Sequence, residues 1–227
     1  MLTAGCGSGR RIPSSGMSTQ PNQRSVKIAD DERGGWSSDR PRKGPPREAD
    51  MSVRCRVLKP EPQMRYSPGS LLMVVSGSPE ERDRFTARVL EGPGLLLSLD
   101  KVRGLLTGRG AAEDVAAERA PELLDTAVMK RLEANETVVV AADGLEAGER
   151  ERFVRMAAQH RRPRHLILIE AARDSVSDEA RPALNDLRRR LDAGELGAEG
   201  FQTALRLGGQ SVGELKRIVF RPEPRDD

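Results

Sequence analysis

Aromatic residues are scarce in this 227-residue chain: 3% of the total, with one Trp, one Tyr and four Phe. Trp36 and Tyr66 both precede the first strongly apolar run. A stacking platform for single-stranded nucleic acid is therefore hard to build in the part that folds. Histidine and cysteine are just as rare, two of each. Cys6 and Cys55 form no CxxC and no disulfide framework, and read as reduced and incidental. His160 and His165 have no cysteine cluster beside them, which excludes an ordinary structural zinc. Without a partnered nucleophile they do not make a hydrolase centre either. Neither is given a role, and His160 is expected at the surface. No run approaches the roughly 18 apolar residues of a membrane span, and residues 1–16 lack the apolar segment of a signal peptide. The expectation is a cytoplasmic protein without a membrane partner.

What is present divides into two unlike parts. Residues 1–66 carry 13 Lys/Arg against 7 Asp/Glu and seven prolines, while residues 67–227 carry 25 against 28. The basic character thus belongs to the front of the chain, and the overall charge of +3 is a weak argument for nucleic-acid binding. Residues 1–66 are expected to be a disordered basic tail and lead-in, with Val53–Leu58 a short edge strand or extended approach. Met17, Met51 and Met64 leave later starts open. The α/β domain is expected over 67–222, with 223–227 frayed.

The folded part is organised around Leu71–Phe85. An apolar run, Leu71–Val75, stops at Ser76–Gly77–Ser78–Pro79, and a charged helix-capable run follows. That is the pattern of a buried parallel strand, a tight turn and a helix N-terminus. The helix is expected over Pro79–Leu90, with Pro79 tolerated in its first turn. Further strands are expected at Leu95–Ser98, Thr137–Ala142, His165–Ile169, Phe201–Leu207 and Arg217–Phe220. Helices are expected after Asp100, over Glu113–Glu133, from Glu146 to His160, over Arg181–Leu191 and briefly at Val212–Leu215. Such alternation predicts an α/β fold, a mostly parallel sheet sandwiched between helices. In such sheets the functional crevice lies beyond the carboxyl ends of the strands.

Four stretches should converge on that crevice. The turn at Gly77 is where phosphate would sit, held by backbone N–H groups and the positive end of the helix. The phosphate-loop pattern G-x-x-x-x-G-K-[ST], started at Gly77, places Arg82 at the second glycine, Asp83 at the lysine and Arg84 at the Ser/Thr that ligates Mg²⁺. Asp83 has the wrong charge beside a triphosphate, and Arg84 lacks the small hydroxyl. The bend is expected to survive with its electrostatic grip removed; an ordinary strand–helix joint is the plainer reading. Asp100 and Arg103, three apart at a helix start, are candidates for a proton-accepting carboxylate and an acceptor-phosphate grip. The simpler alternative is a helix cap and a solvated charge. Asp143 is a candidate for holding a Mg²⁺-bound water, with a cap equally open. Arg173, Arg181, Arg188, Arg189 and Arg190 supply late cations, of which one or two could close over a phosphate or simply coat a helix exterior.

With these residues in place the chain resembles the P-loop kinases of the polynucleotide kinase-like group, whose members carry AAA-type ATP-binding domains. The resemblance rests on LLMVVSG at 71–77, LLLSLDKVRGLLTG at 95–108, ANETVVVAADGL at 134–145 and HLILIEAARD at 165–174. It implies a P-loop NTPase-like fold and transfer of the ATP γ-phosphate, with Mg²⁺, to a polynucleotide 5′-hydroxyl or a small hydroxylated molecule. By resemblance Asp100 stands at the general base, Arg103 at the acceptor-phosphate contact, and Arg173 or Arg181 at the lid. Gly77, Ser78, Pro79, Arg82 and Arg84 stand at a degenerate nucleotide loop. Ala141 and Gly144 replace an Asp and an Asn. Loss of the loop lysine removes stabilisation of the transition state, so phosphoryl transfer is expected to be lost or strongly impaired, with a binding or regulatory role kept. ATP and Mg²⁺ are cofactors only if nucleotide binding persists, and no metal site is assigned. Two alternatives stand beside this: an active kinase or NTPase using Arg82 or Arg84, whose planar forks can bind phosphate, and a nucleic-acid-associated protein using the basic tail.

Overall fold

The computed structural model describes residues 51–142 and 144–221. The expected tail over residues 1–50, the frayed residues 223–227 and Asp143 lie outside that description.

Six parallel strands form the main sheet in the order β1-β7-β6-β3-β5-β4. They are β1 (Arg56–Leu58), β3 (Leu71–Ser76), β4 (Leu96–Ser98), β5 (Val138–Ala142), β6 (Arg164–Ile169) and β7 (Thr203–Leu207). The central strand β3 pairs with β5 on one side, Leu71 opposite Val138, and with β6 on the other, Leu71 opposite Arg164. Strand order reverses around β3, because β4 and β5 fill one side before β6 and β7 fill the other. The crevice at the carboxyl end of β3 is therefore where an α/β sheet opens to a ligand.

The continuous apolar run of β3 is explained by burial on both faces. Leu71, Met73 and Val75 face Leu124, Val128 and Leu132 of α3 (Glu113–Glu133), Phe153, Val154 and Ala157 of α4 (Ala147–Gln159), and Leu184, Leu187 and Leu191 of α5 (Ala180–Asp192). Leu72 and Val74 face the other way, against Phe85 and Val89 of α1 (Pro79–Val89). All five apolar residues of β3 are fully buried. At roughly 1.5–3 kcal/mol for each large side chain, this one strand accounts for a sizeable share of the core.

The lead-in to β3 is more structured than its composition suggests. Val53–Leu58, expected as a short edge strand or extended approach, supplies β1 at the sheet edge, and the polar residues after it supply β2 (Gln63–Tyr66), which was not expected. β2 pairs in parallel with β8 (Arg217–Phe220), near the other end of the described chain. This ribbon brings Met64, Tyr66 and Ile218 over the second face of the sheet. The approach of residues 51–55 depends on glycine. Val53 donates its N–H to the Gly197 carbonyl at 2.9 Å, and a Cβ on Gly197 would stand 2.1 Å from the Val53 carbonyl oxygen.

Smaller expectations are corrected by packing. Asp100 does not cap the helix after β4. That helix, α2 (Leu99–Thr107), is capped by Ser98, whose hydroxyl accepts from the Lys101 N–H at 3.2 Å. Leu105 on α2 is 64% exposed, although the apolar residues after Asp100 would by periodicity face inward. Pro121 sits inside a continuous α3. Arg164, expected in the turn before the fourth strand, is the first residue of β6 and is buried.

Both histidines stay out of the crevice. His165 packs its ring 4.7 Å from that of Tyr66, and its Nδ1 lies 2.9 Å from the Thr203 hydroxyl. Burial first, and then the neighbouring Arg164 charge, lowers its pKa to about 4. Burial likewise raises the pKa of the Tyr66 phenol. His160, expected at the surface, is partly buried with Nε2 3.1 Å from the Met129 sulfur. Among the described residues, no helix is long and apolar enough to cross a membrane.

Candidate functional site

The joint between β3 and α1 decides what the crevice can hold. Only Gly77 and Ser78 separate the last residue of β3 from the first of α1. In a phosphate-binding loop the helix follows the whole G-x-x-x-x-G-K-[ST] stretch. Here positions three to eight of that frame, Pro79–Arg84, are already helix. Three backbone donors of the joint are also committed. The Ser78 N–H donates to the Ser76 hydroxyl at 3.2 Å, the Glu81 N–H to the Ser78 hydroxyl at 3.4 Å and the Arg82 N–H to the Ser78 carbonyl at 3.1 Å, while Pro79 has none. Ser78 is thus a conventional N-cap with proline at the first helical position. The expected persistence of the open bend is corrected by this geometry: the chain makes a two-residue joint instead.

Gly77 has a packing reason for being glycine. A Cβ there would meet Val176 Cγ2 at 3.0 Å and Leu184 Cδ2 at 3.2 Å. Apolar side chains from the segment after β6 and from α5 close on the joint, on ground where a ligand phosphate would otherwise approach. The side chains of the frame separate as well. Arg82 is 2% exposed and donates from Nε to Asp83 Oδ1 at 2.9 Å. Arg84 is exposed and is not among the residues that line the crevice.

Beyond the joint, a cleft of about 630 Å³ opens at the carboxyl ends of β3, β4 and β5. It brings together much of what the sequence singled out: Pro79, Arg82, Asp100, Arg103, Ala141 and Gly144. Asp100 and Arg103 pair with each other as an ion pair one helical turn apart on α2. Asp100 therefore enters the cleft as half of a salt bridge rather than as a lone carboxylate. The opposite wall is apolar and built from small residues of α3, Ala117, Ala120 and Pro121, with Leu124 and Phe153. Glu149 and Arg152 of α4 complete the charged rim. Arg152 lies 3.3 Å from Asp125 Oδ1 and 4.6 Å above its neighbour's Phe153 ring. Burial raises the Asp125 pKa, with Arg152 opposing the shift.

The late arginines do not reach this cleft. Arg173, Arg181 and Arg188 line a separate concavity of about 370 Å³ with Val176 and Leu184. Arg181 pairs with Asp178 at 2.5 Å, Arg188 lies 2.9 Å from Glu170, Arg189 pairs with Asp186 at 2.7 Å and Arg190 with Glu199 at 2.5 Å. Four of the five are thus engaged by carboxylates.

Sequence reasoning passed over Arg150, the most deeply buried charge beside the cleft. It is 1% exposed. Its Nε and Nη2 donate to the two Glu199 oxygens at 2.7 and 2.6 Å, and its Nη1 to the carbonyls of Gly144 and Leu145 at 2.8 and 2.6 Å. This fork fixes the chain just after β5, one rim of the cleft. Arg150 and Arg152 lie in a run, Glu146–Arg152, that reads as a solvated helix start; only the apolar Phe153–Val154 beside them hints at a buried side.

The residues do not fit a Mg²⁺–triphosphate group. The position of the metal-ligating hydroxyl in the loop pattern is Arg84, a cation where the metal would bind.

Comparison with known proteins gives a family model described as AAA domain, which matches residues 83–181. The match begins past Gly77 and takes in most of α1, the cleft lining except Pro79 and Arg82, and the start of α5. No curated protein matches the chain. Among solved structures, a protein from Chloroflexus aurantiacus provisionally described as a kinase is similar at 14% identity and a TM-score of 0.40, over 65% of this chain and 88% of that one. The domain has a P-loop NTPase-like α/β fold: parallel strands, flanking helices and a crevice at the strand ends.

Proposed function

We propose that this chain is a kinase-like protein that binds a small hydroxylated or phosphorylated molecule in its cleft and has lost, or nearly lost, ATP-dependent phosphoryl transfer. One observation carries the reading: α1 begins at Pro79, two residues after β3. A nucleotide's phosphates need free backbone N–H groups curled around them, and here those of Ser78, Glu81 and Arg82 are already bonded within the joint. Removing one such donor from a reaction commonly costs about 3 kcal/mol of transition-state stabilisation. Several donors, the lysine and the hydroxyl are missing together. The alternative in which Arg82 or Arg84 replaces the lysine finds little support, since Arg84 does not line the cleft and Arg82 is tied to Asp83. The basic front of the chain as a nucleic-acid arm is a separate reading, tested by deleting residues 1–50 and measuring RNA and DNA retention.

The test is calorimetric titration with Mg²⁺-ATP. The expected outcome is no saturation up to about 1 mM, the weak end of ordinary ligand affinity. A micromolar dissociation constant together with transfer of label to any hydroxyl acceptor overturns the reading. Asp83→Lys combined with Arg84→Ser supplies a further check. Because the missing part is backbone, the double substitution leaves turnover undetectable; recovery of turnover would show that side chains alone were at fault.

A further inference from the structure

Cations are not spread evenly over the fold. Residues 51–66 and 214–221 hold seven, Arg54, Arg56, Lys59 and Arg65 in the first stretch and Lys216, Arg217 and Arg221 in the second, against two carboxylates, Glu61 and Glu214. Residues 67–213 hold 21 cations against 24 carboxylates. All seven are exposed. The arginines of α5 meet carboxylates. Among the seven, Arg217 alone has one near it, Glu91 at 3.8 Å, and the other six make no ion pair among the described residues. The chain ends outside the described residues do not cancel this surplus: they hold nine cations and six carboxylates before residue 51, and one and three after residue 221.

The fold gathers the seven on one side. Arg54 and Arg56 are exposed while Val53 and Cys55, alternating with them, are half-buried, the pattern of an extended edge chain. Cys55 packs on the core that includes α3, α4 and α5, and Leu58 on the core beneath the β2–β8 ribbon. The two-residue period therefore turns Arg54 and Arg56 toward the side that the ribbon covers. On β2, Met64 and Tyr66 are buried and Arg65 between them faces out; on β8, Arg217 is exposed beside buried Ile218. The Pro62 carbonyl accepts the N–H groups of Lys216 and Arg217 at 2.8 and 3.3 Å, which sets both beside the β1–β2 connection that carries Lys59. The Arg221 N–H donates to the Tyr66 carbonyl at 3.1 Å, next to Arg65.

Exposed cations without carboxylate partners suit a polyanion, and five of the seven are arginines, whose forks match phosphate oxygens. Single-stranded bases would find nothing to stack on, since Tyr66 is buried and Phe220 partly so. A lipid surface would find no apolar wedge, Val57 being the one large apolar side chain exposed on this side among the described residues. We propose that this basic border of β1, β2 and β8 docks the phosphate backbone of a nucleic-acid duplex, without reading its bases. The surface is separate from the cleft, so the assignment is independent of whether the cleft takes a nucleotide.

The probes are labelled DNA and RNA duplexes of about 20 base pairs, two helical turns, titrated with the full chain by fluorescence anisotropy in EDTA. A dissociation constant of about 100 μM or tighter is expected at about 50 mM salt for at least one duplex, the range of sequence-independent binding. Combining Arg54→Gln, Arg56→Gln and Arg65→Gln is expected to weaken binding about tenfold or more and to reduce the salt slope by roughly 3, one for each lost contact. Glutamine at Arg109, Arg119 and Lys130, exposed cations elsewhere on the fold, changes the net charge equally and is expected to leave affinity within about twofold. Lysine at positions 54, 56 and 65 keeps the charge and is expected to keep most of the affinity, which separates a lost contact from a damaged fold. No binding of either duplex at about 100 μM, equal losses in the two glutamine variants, or tighter binding of a single strand or of phosphatidylserine vesicles than of duplex overturns the proposal. So does duplex binding that is lost on deleting residues 1–50 yet intact in the Arg54, Arg56 and Arg65 glutamine variant, which would assign it to the front of the chain.

Discussion

At the scale of single residues, the structure assigns its strongest polar contacts to side chains that carry no motif. Arg150 and Glu199 are 49 positions apart and meet as a bidentate pair beneath the surface, with Arg190 on the same carboxylate. Removing one member of a buried pair leaves an uncompensated charge, which costs about 3–5 kcal/mol. Arg150→Met is therefore expected to lower the melting temperature by about 6–20 °C, at 2–4 °C per kcal/mol for a domain of this size, as read by circular dichroism. His165 offers a pH signature. Its folded pKa, about 4, lies below the unfolded value near 6.5. The unfolded chain alone takes up the proton between those limits, so stability is intact above pH 6.5 and falls as pH drops toward 4. The loss reaches about 3 kcal/mol at roughly 1.4 kcal/mol per pH unit. Urea unfolding at pH 7, 5.5 and 4.5 should show this slope, flattened in His165→Phe. An identical slope in both proteins would show that other groups carry the pH dependence. Pairs of this kind, remote in sequence, leave no trace in local spacing, which is why Arg150, Arg152 and the surroundings of His165 were not legible beforehand.

At the scale of elements, most of the pattern was readable. The all-apolar β3 and the Val138–Ala142 run stand where periodicity puts them, and of the stripe expected on α3 (Ala116, Ala120, Leu123, Leu124, Ala127, Val128, Leu132) five are buried while Ala127 is half-buried and Leu123 exposed. Caps were misread where two polar candidates lay close together. Ser98 and Asp100 both suit a helix start, and only the backbone course shows that the serine is outside the first turn. Ser98→Ala should cost about 1 kcal/mol, the usual value of a lost cap. Asp100→Asn, altering an exposed pair, should cost no more than about 0.5 kcal/mol. Chemical denaturation of the two variants settles the order; a larger effect at Asp100 would overturn the cap assignment. The joint before α1 posed a harder problem. Gly77 and Pro79 fit either a wide phosphate loop or a tight turn, and the difference is made by Val176 and Leu184, about a hundred residues away.

At the scale of the whole molecule, the parallel sheet and the location of the cleft were legible from the alternation of strands and helices. The place where the fold begins was legible only in part: Val53–Leu58 reads as an edge strand and β1 lies there, but polar, proline-containing residues 59–66 resemble a linker. They are held by backbone pairing and by Tyr66 and Met64 in the second core, contacts that composition does not register. A chain beginning at Met51 is accordingly expected to unfold in one cooperative transition, whereas one beginning at Ser67 lacks β1 and β2 and is expected to aggregate or melt broadly. Matching calorimetric traces for the two would refute a structural role for those strands.

The pairing of β1 with β7 and of β2 with β8 has a consequence for the protein's birth on the ribosome. Residues 56–66 leave the ribosome well over a hundred residues before the strands they pair with. Those early hydrogen-bonding edges stay open until residues 203–220 have emerged, and long-range parallel pairing is intrinsically slow to close. A polypeptide released before residue 203 would carry β1 and β2 with nothing to dock against.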